Sequence, residues 1–268
     1  MNRIDAQFAR LQHEGRAALI AYITAGDPTL ARTRQLIPAL ERASADLIEL
    51  GIPFSDPLAD GKTNQAAAER ALRNGVSLHD VLTLVHDLRT HSHIPIVFFT
   101  YLNPVFRYGF ARFADAAAAA GVDGVLTLDM PPEEAAPLKR ELDRTGVRSI
   151  FLAAPTSSDE RLQLIAAHAS GFIYYVCRTG VTGERDDVPA DLPQHIARIR
   201  RFSSLPIAVG FGVSSPAHVR AIAPHADAVV VGSAIVRRIG EGGDSDAMVS
   251  SVETFVQELA QPLHAPRT

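Results

Sequence analysis

The sequence predicts one (β/α)₈ barrel of the TIM-barrel class. Three observations predict it. The chain has 268 residues, close to the roughly 250 that one such barrel takes. Eight short apolar runs alternate with eight amphipathic stretches. No dinucleotide fingerprint follows the first run. Strict alternation marks α/β architecture, and eight units suffice to close a barrel. The rival is an open doubly wound sheet with a GxGxxG turn after its first strand; the turn here reads AGDPT at 25–29.

The apolar runs are ALIAYIT (18–24), DLIEL (46–50), IPIVFFTY (94–101), GVLTL (124–128), RSIFLAA (148–154), FIYYVC (172–177), PIAVGF (206–211) and DAVVVG (227–232). Each is short, rich in β-branched or aromatic residues, and bounded by Gly, Pro or polar residues, as strands are. Their near-continuous apolarity suits parallel strands buried on both faces. Between them, 29–43 places Leu30, Leu36, Ile37 and Leu40 on one helical face. The stretch 77–90 opens on a Ser cap and turns Val81, Leu82, Leu84, Val85 and Leu88 inward. The same periodicity recurs at 108–120, 133–145, 158–169, 191–202, 215–223 and 246–260. The segment before the first strand is expected to form an extra helix closing the bottom of the barrel. Nothing reads as a linker, so 1–268 is taken as a single domain, with 261–268 a loose tail.

Composition narrows the function. Hydrophobic residues make up 47% and charged residues 21% of the chain, ordinary values for a globular protein with a large core. A net charge of −4 offers no basic footprint for nucleic acid. No run approaches the roughly 18 apolar residues of a membrane span. The N-terminus carries acids and lacks the apolar core of a secretory signal. Cys177 is the only cysteine, so no intrachain disulfide forms, which suits a reducing cytoplasm. His91 and His93 have no further ligands nearby in sequence, and no metal site is expected.

In a barrel the chemistry sits in the loops that follow the strands. Two of these are long and rich in Gly, Pro and acids, at 51–65 and 178–191. Loops of that length in a compact domain are usually functional, and either could close over a central site. Glu49 stands inside LIELGI, at the end of the second strand. Its apolar neighbours make ionisation costly and should raise its pKa, which suits a group that both gives and takes a proton. The alternative is a structural carboxylate hydrogen-bonded inside the barrel. Asp60, in the loop, reads equally as a helix cap, and Asp27 and Asp56 equally as turn residues. The seventh and eighth strands end in GFGVS (210–214) and GSA (232–234). Glycines at those two strand ends, with a short helix opening at Ser233, match the recurrent phosphate site of barrels. No lysine lies in a strand, so a lyase here would work without an imine.

The run LIELGIPFSDPLADG (48 to 61 and its lead residue) resembles the signature of the tryptophan synthase alpha chain family. TYLNPV (100–105), FIYYVCRTGVTG (172–183), GFGVSSP (210–216) and VVVGSAIV (229–236) resemble the same family in the same order. The resemblance spans essentially the whole chain. It implies a (β/α)₈ lyase that cleaves indole-3-glycerol phosphate to indole and glyceraldehyde 3-phosphate. It implies Glu49 as the proton-transfer group, and Asp60 as the acceptor of the indole N–H from a loop that closes. Tyr22, Thr100, Leu128, Tyr174 and Phe211 would line the indole pocket or orient Glu49, and Thr182 would bond Asp60 when both loops close. Gly183, Gly212, Val213, Gly232 and Ser233 would hold the phosphate. Gly51, Pro53, Asp56, Asn103 and Pro131 would face a beta chain in an α2β2 assembly. That partner carries pyridoxal phosphate; the alpha chain needs no cofactor. Lys62, Asn64, Cys177 and Tyr22 depart from the commonest family pattern. Other readings remain open at this level: a stand-alone lyase, a weakly catalytic subunit that activates its partner, and a related phosphate-binding isomerase.

Overall fold

Eight parallel strands pair in chain order, and the eighth pairs back to the first. They are β1 (Ala18–Thr24), β2 (Leu47–Gly51), β3 (Ile96–Thr100), β4 (Gly124–Thr127), β5 (Arg148–Ala153), β6 (Ile173–Val176), β7 (Ile207–Gly210) and β8 (Ala228–Val231). The computed structural model describes residues 1–177, 188–210 and 212–264. The helices among them are α1 (Arg3–His13), α2 (Leu30–Arg42), α3 (Lys62–Arg73), α4 (Leu78–Leu88), α5 (Leu102–Tyr108), α6 (Phe110–Ala120), α7 (Ala136–Thr145), α8 (Asp159–His168), α9 (Leu192–Arg200), α10 (Pro216–Ile222), α11 (Ser233–Gly242) and α12 (Asp246–Ala260). The (β/α)₈ barrel expected from the sequence is therefore the fold. None of the described helices is long and apolar enough to cross a membrane.

Strand alternation divides the apolar residues into two layers. Ile48, Leu50, Phe98 and Val209 turn outward and pack under the helices. Ile20, Leu47, Val97, Leu126, Ile150, Phe172 and Ala208 turn inward and fill the barrel. The inner cluster also takes in Ile4, Phe8 and Leu11 of α1. The extra N-terminal helix thus plugs the bottom, as its apolar spacing requires. Asn2 fixes it there: its side chain accepts from Ile4 N–H and donates to the Asp123 and Gly146 carbonyls at 2.9 and 3.0 Å.

A repeated device closes the base. The residue at or just before each even strand bonds a backbone N–H of the strand before it. Asp46 accepts from Leu19 N–H at 2.9 Å, Asp123 from Ile96 N–H at 2.9 Å, and Asp227 from Ile207 N–H at 2.8 Å. Ser170 Oγ does the same for Ser149 N–H at 2.9 Å. Each aspartate is also paired with arginine: Arg16, Arg89 and Arg200, respectively. Asp46 is 5% exposed and takes bonds from Arg16 and Gln7 as well as Leu19. Removing one member of such a buried network strands the others and costs roughly 3 kcal/mol. Asp46→Ala should therefore lower the thermal midpoint by roughly 6–12 °C and leave kcat unchanged, because the chemistry lies at the other end. Thermal melts and turnover on one preparation decide it; a lost kcat with an unmoved midpoint contradicts this role.

Two helices were not expected. α3 takes up the last four residues assigned to the long loop after β2, 62–65, and continues to Arg73; the loop ends at Gly61, the N-cap. Its buried face is Asn64, Ala67, Ala68 and Ala71, too weakly apolar to register as periodic. α5 is a short insertion of seven residues ahead of α6. The tail expected to be loose from Gln261 begins as a 3₁₀ turn, Gln261–His264, that buries Leu263; an apolar side chain there still reaches the core. Residues 265–268 lie outside the described ones.

Candidate active site

Glu49 reaches the barrel interior because it alternates with Leu47 along β2. It stands opposite Tyr22 on β1 and Val97 on β3. It is fully buried, and neither Oε1 nor Oε2 has a hydrogen-bond partner among the described residues. Burial alone pushes its carboxyl up to about 8. The alternative of a carboxylate hydrogen-bonded inside the barrel finds no partner among the described residues, and the group keeps its proton near pH 7.

Two tyrosines flank the inner end of the barrel mouth, each lying over a glycine of the next strand. A Cβ on Gly51 would stand 2.4 Å from the Tyr22 hydroxyl, and one on Gly210 would stand 2.2 Å from that of Tyr174. The rings occupy the space those missing side chains leave. Tyr22 meets Phe99 edge-on at 5.0 Å between centroids, and its hydroxyl lies 3.3 Å from Thr24 Oγ1. Burial raises both tyrosines well above the ordinary phenol range; the charges of Asp60 and Glu49 push each further in the same direction. The two carboxylates therefore share Tyr22 and Tyr174 as neighbours.

Asp60 arrives from the loop after β2 and is turned in, 7% exposed. The Tyr101 hydroxyl donates to its Oδ2 at 2.9 Å and accepts from Ala59 N–H at 3.0 Å. Gln65 Nε2 donates to the Asp60 carbonyl at 2.7 Å. Burial raises the Asp60 carboxyl from its usual range, while hydrogen bonds from Tyr101 and Asn64 lower it partway back. The loop thus brings Asp60 to the same two tyrosines, Tyr22 and Tyr174, that Glu49 acts on. Asp27, equally ambiguous in sequence, proves structural: it is 1% exposed and clasped by Arg70 of α3 at 2.7 and 2.8 Å.

The third region is the start of α11. Ile235 and Val236 N–H already bond the Gly232 carbonyl at 2.9 and 3.1 Å. The N–H groups of Ser233 and Ala234, at the helix start, have no intrahelical acceptor. Gly232 caps without a side chain, and Ser233 is 8% exposed. Gly212 adopts φ +89°, the left-handed region, and Val213 is buried beside it. Such helix-start N–H groups favour an anion. A Cβ on Gly232 would meet Tyr22 Cβ at 3.5 Å, so this end adjoins the acid end through one aromatic ring. Val236 of α11 and Ala67 of α3 pack with Tyr22 and Phe99 in one cluster.

Other expected residues fall as follows. Leu128 is half-buried against the inner cluster. Thr100 is misplaced: alternation turns Phe99 inward, and the Thr100 hydroxyl donates instead to the Tyr101 carbonyl at 3.1 Å. Thr182, Gly183 and Phe211 lie outside the described residues. Of the expected partner face, Asp56 and Asn103 are exposed and Pro131 half-buried. Gly51 and Pro53 are buried; Gly51 serves Tyr22, and no side chain there can meet a partner. Sequence reasoning missed Phe99 and Tyr101, which the period-two pattern from Val97 would have placed inward. It also missed Leu58 and Phe106, exposed at 79% and 67%, the first in the loop beside Asp56 and the second on α5 with Asn103. No cluster of three or more His, Cys, Asp or Glu fit to hold a metal occurs among the described residues.

A sequence profile of the tryptophan synthase alpha chain matches residues 8–264. The tryptophan synthase alpha chain of Solibacter usitatus is 49% identical over 259 residues, covering 97% of each chain. That of Geotalea daltonii is 52% identical over 259 residues, covering 97% of this chain and 98% of its own. Among solved structures, Mycobacterium tuberculosis tryptophan synthase superposes with TM-score 0.91 at 36% identity, covering 98% of this chain and 99% of that one. A chain from the tryptophan synthase α2β2 complex of Pyrococcus furiosus gives 0.86 at 42% identity, covering 92% and 99%.

Proposed function

The chain belongs to the tryptophan synthase alpha chain family, and we propose that Glu49 and Asp60 carry out its retro-aldol cleavage of indole-3-glycerol phosphate into indole and glyceraldehyde 3-phosphate. The observation that supports this most is Glu49, buried, unpartnered and raised to about 8. A carboxyl near that value can act as acid and then as base at neutral pH.

Indole leaves poorly as a carbanion. Glu49 therefore first gives its proton to the ring carbon that bears the glycerol chain, and the ring becomes a cation. Asp60, ionised, accepts the ring N–H and stabilises that charge. The Glu49 carboxylate then takes the proton of the hydroxyl on the adjoining side-chain carbon. The carbon–carbon bond breaks, its electron pair returns to the ring, and the carbon whose hydroxyl lost the proton becomes the aldehyde. Glu49 ends protonated, as it began. The helix start at Ser233, with Gly212, Val213 and Gly232, holds the phosphate. Gly183 completes that cradle in this reading, and Thr182 and Phe211 complete the indole end. Remote phosphate binding fixes the reacting carbon against Glu49.

No cofactor enters these steps. The chemistry that needs pyridoxal phosphate belongs to the beta chain, which receives the indole. Asp56, Asn103 and Pro131, together with the exposed Leu58 and Phe106, form the face toward it in an α2β2 assembly. Large apolar side chains grouped at one rim favour a partner over a stand-alone enzyme. With one cysteine and no disulfide, the site of action is the cytoplasm.

The test is indole release from indole-3-glycerol phosphate, measured with the chain alone and with a tryptophan synthase beta chain. Turnover that rises severalfold on adding the beta chain is expected. High activity indifferent to the partner makes it a stand-alone lyase, and no turnover in either condition removes the lyase assignment.

A further inference from the structure

We propose that Arg70 is a positioning residue for the reaction: clasping Asp27 and seated against Gly240, its guanidinium locks α3, which holds the Asp60 loop, to α11, which opens the phosphate end. The inference rests on the lyase reading above, and its failure is separable from that of the lyase.

α3 and α11 lie side by side. Ala67 of the first and Val236 of the second pack with Tyr22 in one cluster. One turn further along each helix, Arg70 meets Gly240. A Cβ on that glycine would stand 2.9 Å from Arg70 Nη2 and 3.2 Å from its Cζ. Spacings of three and four residues put each pair of contact positions on one helix face. Gly240 lies inside α11, where glycine is a poor helix former. Its missing side chain leaves the notch that the guanidinium fills. The same guanidinium donates to Asp27, from Nε to Oδ1 at 2.7 Å and from Nη2 to Oδ2 at 2.8 Å. The Asp27 side chain is wholly buried. Asn74, the C-cap of α3, adds a bond to the Pro28 carbonyl at 2.6 Å.

This pair differs from the clasps at the base. Asp46, Asp123 and Asp227 precede their strands and bond strand N–H groups. Asp27 follows β1, at the catalytic end, and gives both carboxylate oxygens to Arg70. The first turn of α3 carries Gln65, which holds the Asp60 carbonyl at 2.7 Å. α11 begins at Ser233. The substrate of the lyase reading spans both helices, its ring at Asp60 and its phosphate at the start of α11. A rigid α3–α11 pair sets the distance between those two points. Binding energy gained at the phosphate then orients the ring against Asp60. A lysine at position 70 would keep the charge beside Asp27 but lose the planar fork and leave the notch at Gly240 unfilled.

The experiment compares wild type, Arg70→Lys, Gly240→Ala, Asp60→Asn and Arg70→Lys combined with Asp60→Asn. It measures kcat for indole release, binding of glycerol 3-phosphate, binding of indole in its presence, and thermal midpoints. Arg70→Lys is expected to lower kcat on the order of tenfold and to weaken indole binding severalfold, with glycerol 3-phosphate bound as tightly as before. Added to Asp60→Asn, it should weaken indole binding no further, because Arg70 acts through Asp60. Gly240→Ala should lower kcat severalfold while its midpoint holds or rises, alanine being the better helix former. An equal loss of indole binding in the Asp60→Asn chain, or a Gly240→Ala chain with wild-type kcat, overturns the positioning role and leaves the lyase reading intact. Gly240→Ala decides by itself if Arg70→Lys does not fold. A wild-type chain with no turnover, with or without the beta chain, removes both.

Discussion

Replacing Glu49 with Gln is expected to cut kcat for indole release by roughly a thousandfold, the range of a general acid–base group, while glycerol 3-phosphate binds as before. Gln fills the same volume and cannot give up a proton at the ring carbon. The phosphate end lies at α11, so the anion has no reason to notice. A variant that keeps turnover within a few fold of wild type contradicts the mechanism. The same substitution carries a second result of opposite sign. Unfolded, Glu49 ionises near its ordinary 4.5; folded, it holds its proton to about 8. Between those values the unfolded chain sheds a proton that the folded chain keeps. Rising pH then favours unfolding by about 1.4 kcal/mol per unit, on the order of 4 kcal/mol by pH 8. Below 4.5 the carboxyl is neutral in both states and nothing is lost; above 8 the difference levels off. Gln does not titrate. Glu49→Gln should match wild type in thermal midpoint near pH 4.5 and exceed it by several degrees at pH 8.5. Midpoints that run parallel across that window would mean that Glu49 is not the buried, proton-holding carboxyl described.

Gly210→Ala should lower kcat/KM by roughly a hundredfold, the scale on which an ångström of misplacement acts. A Cβ there would lie 2.2 Å from the Tyr174 hydroxyl and 2.7 Å from two ring carbons. Tyr174 is half-buried and packs against the inner cluster, so the ring has to leave its present position at the pocket that the indole would occupy in this reading. Trimming the hydroxyl alone would not suffice, because the ring carbons stay too close: Gly210→Ala with Tyr174→Phe should remain impaired. Gly210→Ala with Tyr174→Leu clears the collision and should regain most of the lost KM. Steady-state kinetics on the three variants settle it. A fully active Gly210→Ala chain would show that the ring has somewhere else to go.

The barrel was legible because its signal is periodic and repeated: eight apolar runs, each with a helix behind it, leave little choice of architecture. Glu49 was legible for a related reason, since a carboxylate inside LIELGI breaks its own pattern. The start of α11 followed from where barrels place their glycines. What escaped depends on contacts between distant residues. Tyr101 lies 41 positions from the Asp60 it bonds, and nothing local to either announces the pair. Gly51 was taken for a partner-facing residue because a glycine in a motif does not say what fills its missing side chain; Tyr22 does. Thr100 failed by one step of strand parity. α3 escaped because its inward face is alanine, which packs closely yet hardly raises local hydrophobicity.

The clasps at the base also bear on the order in which the chain assembles. They link residues 27, 27, 21 and 20 positions apart: Leu19 with Asp46, Ile96 with Asp123, Ser149 with Ser170, and Ile207 with Asp227. Each can form inside its own strand–helix–strand segment as soon as that segment exists. The entropy lost in closing so short a loop is small beside that of bringing β8 to β1 across nearly the whole chain. Closing the ring is the strand pairing that spans the most sequence, and it falls to the last strand. The packing of α12 on α2, tied by Arg42 to Glu253 and by Arg32 to Asp246, is the latch that follows. Nucleation is spread over four local units, and the catalytic mouth, which needs all eight strands, takes shape only when the circle is complete.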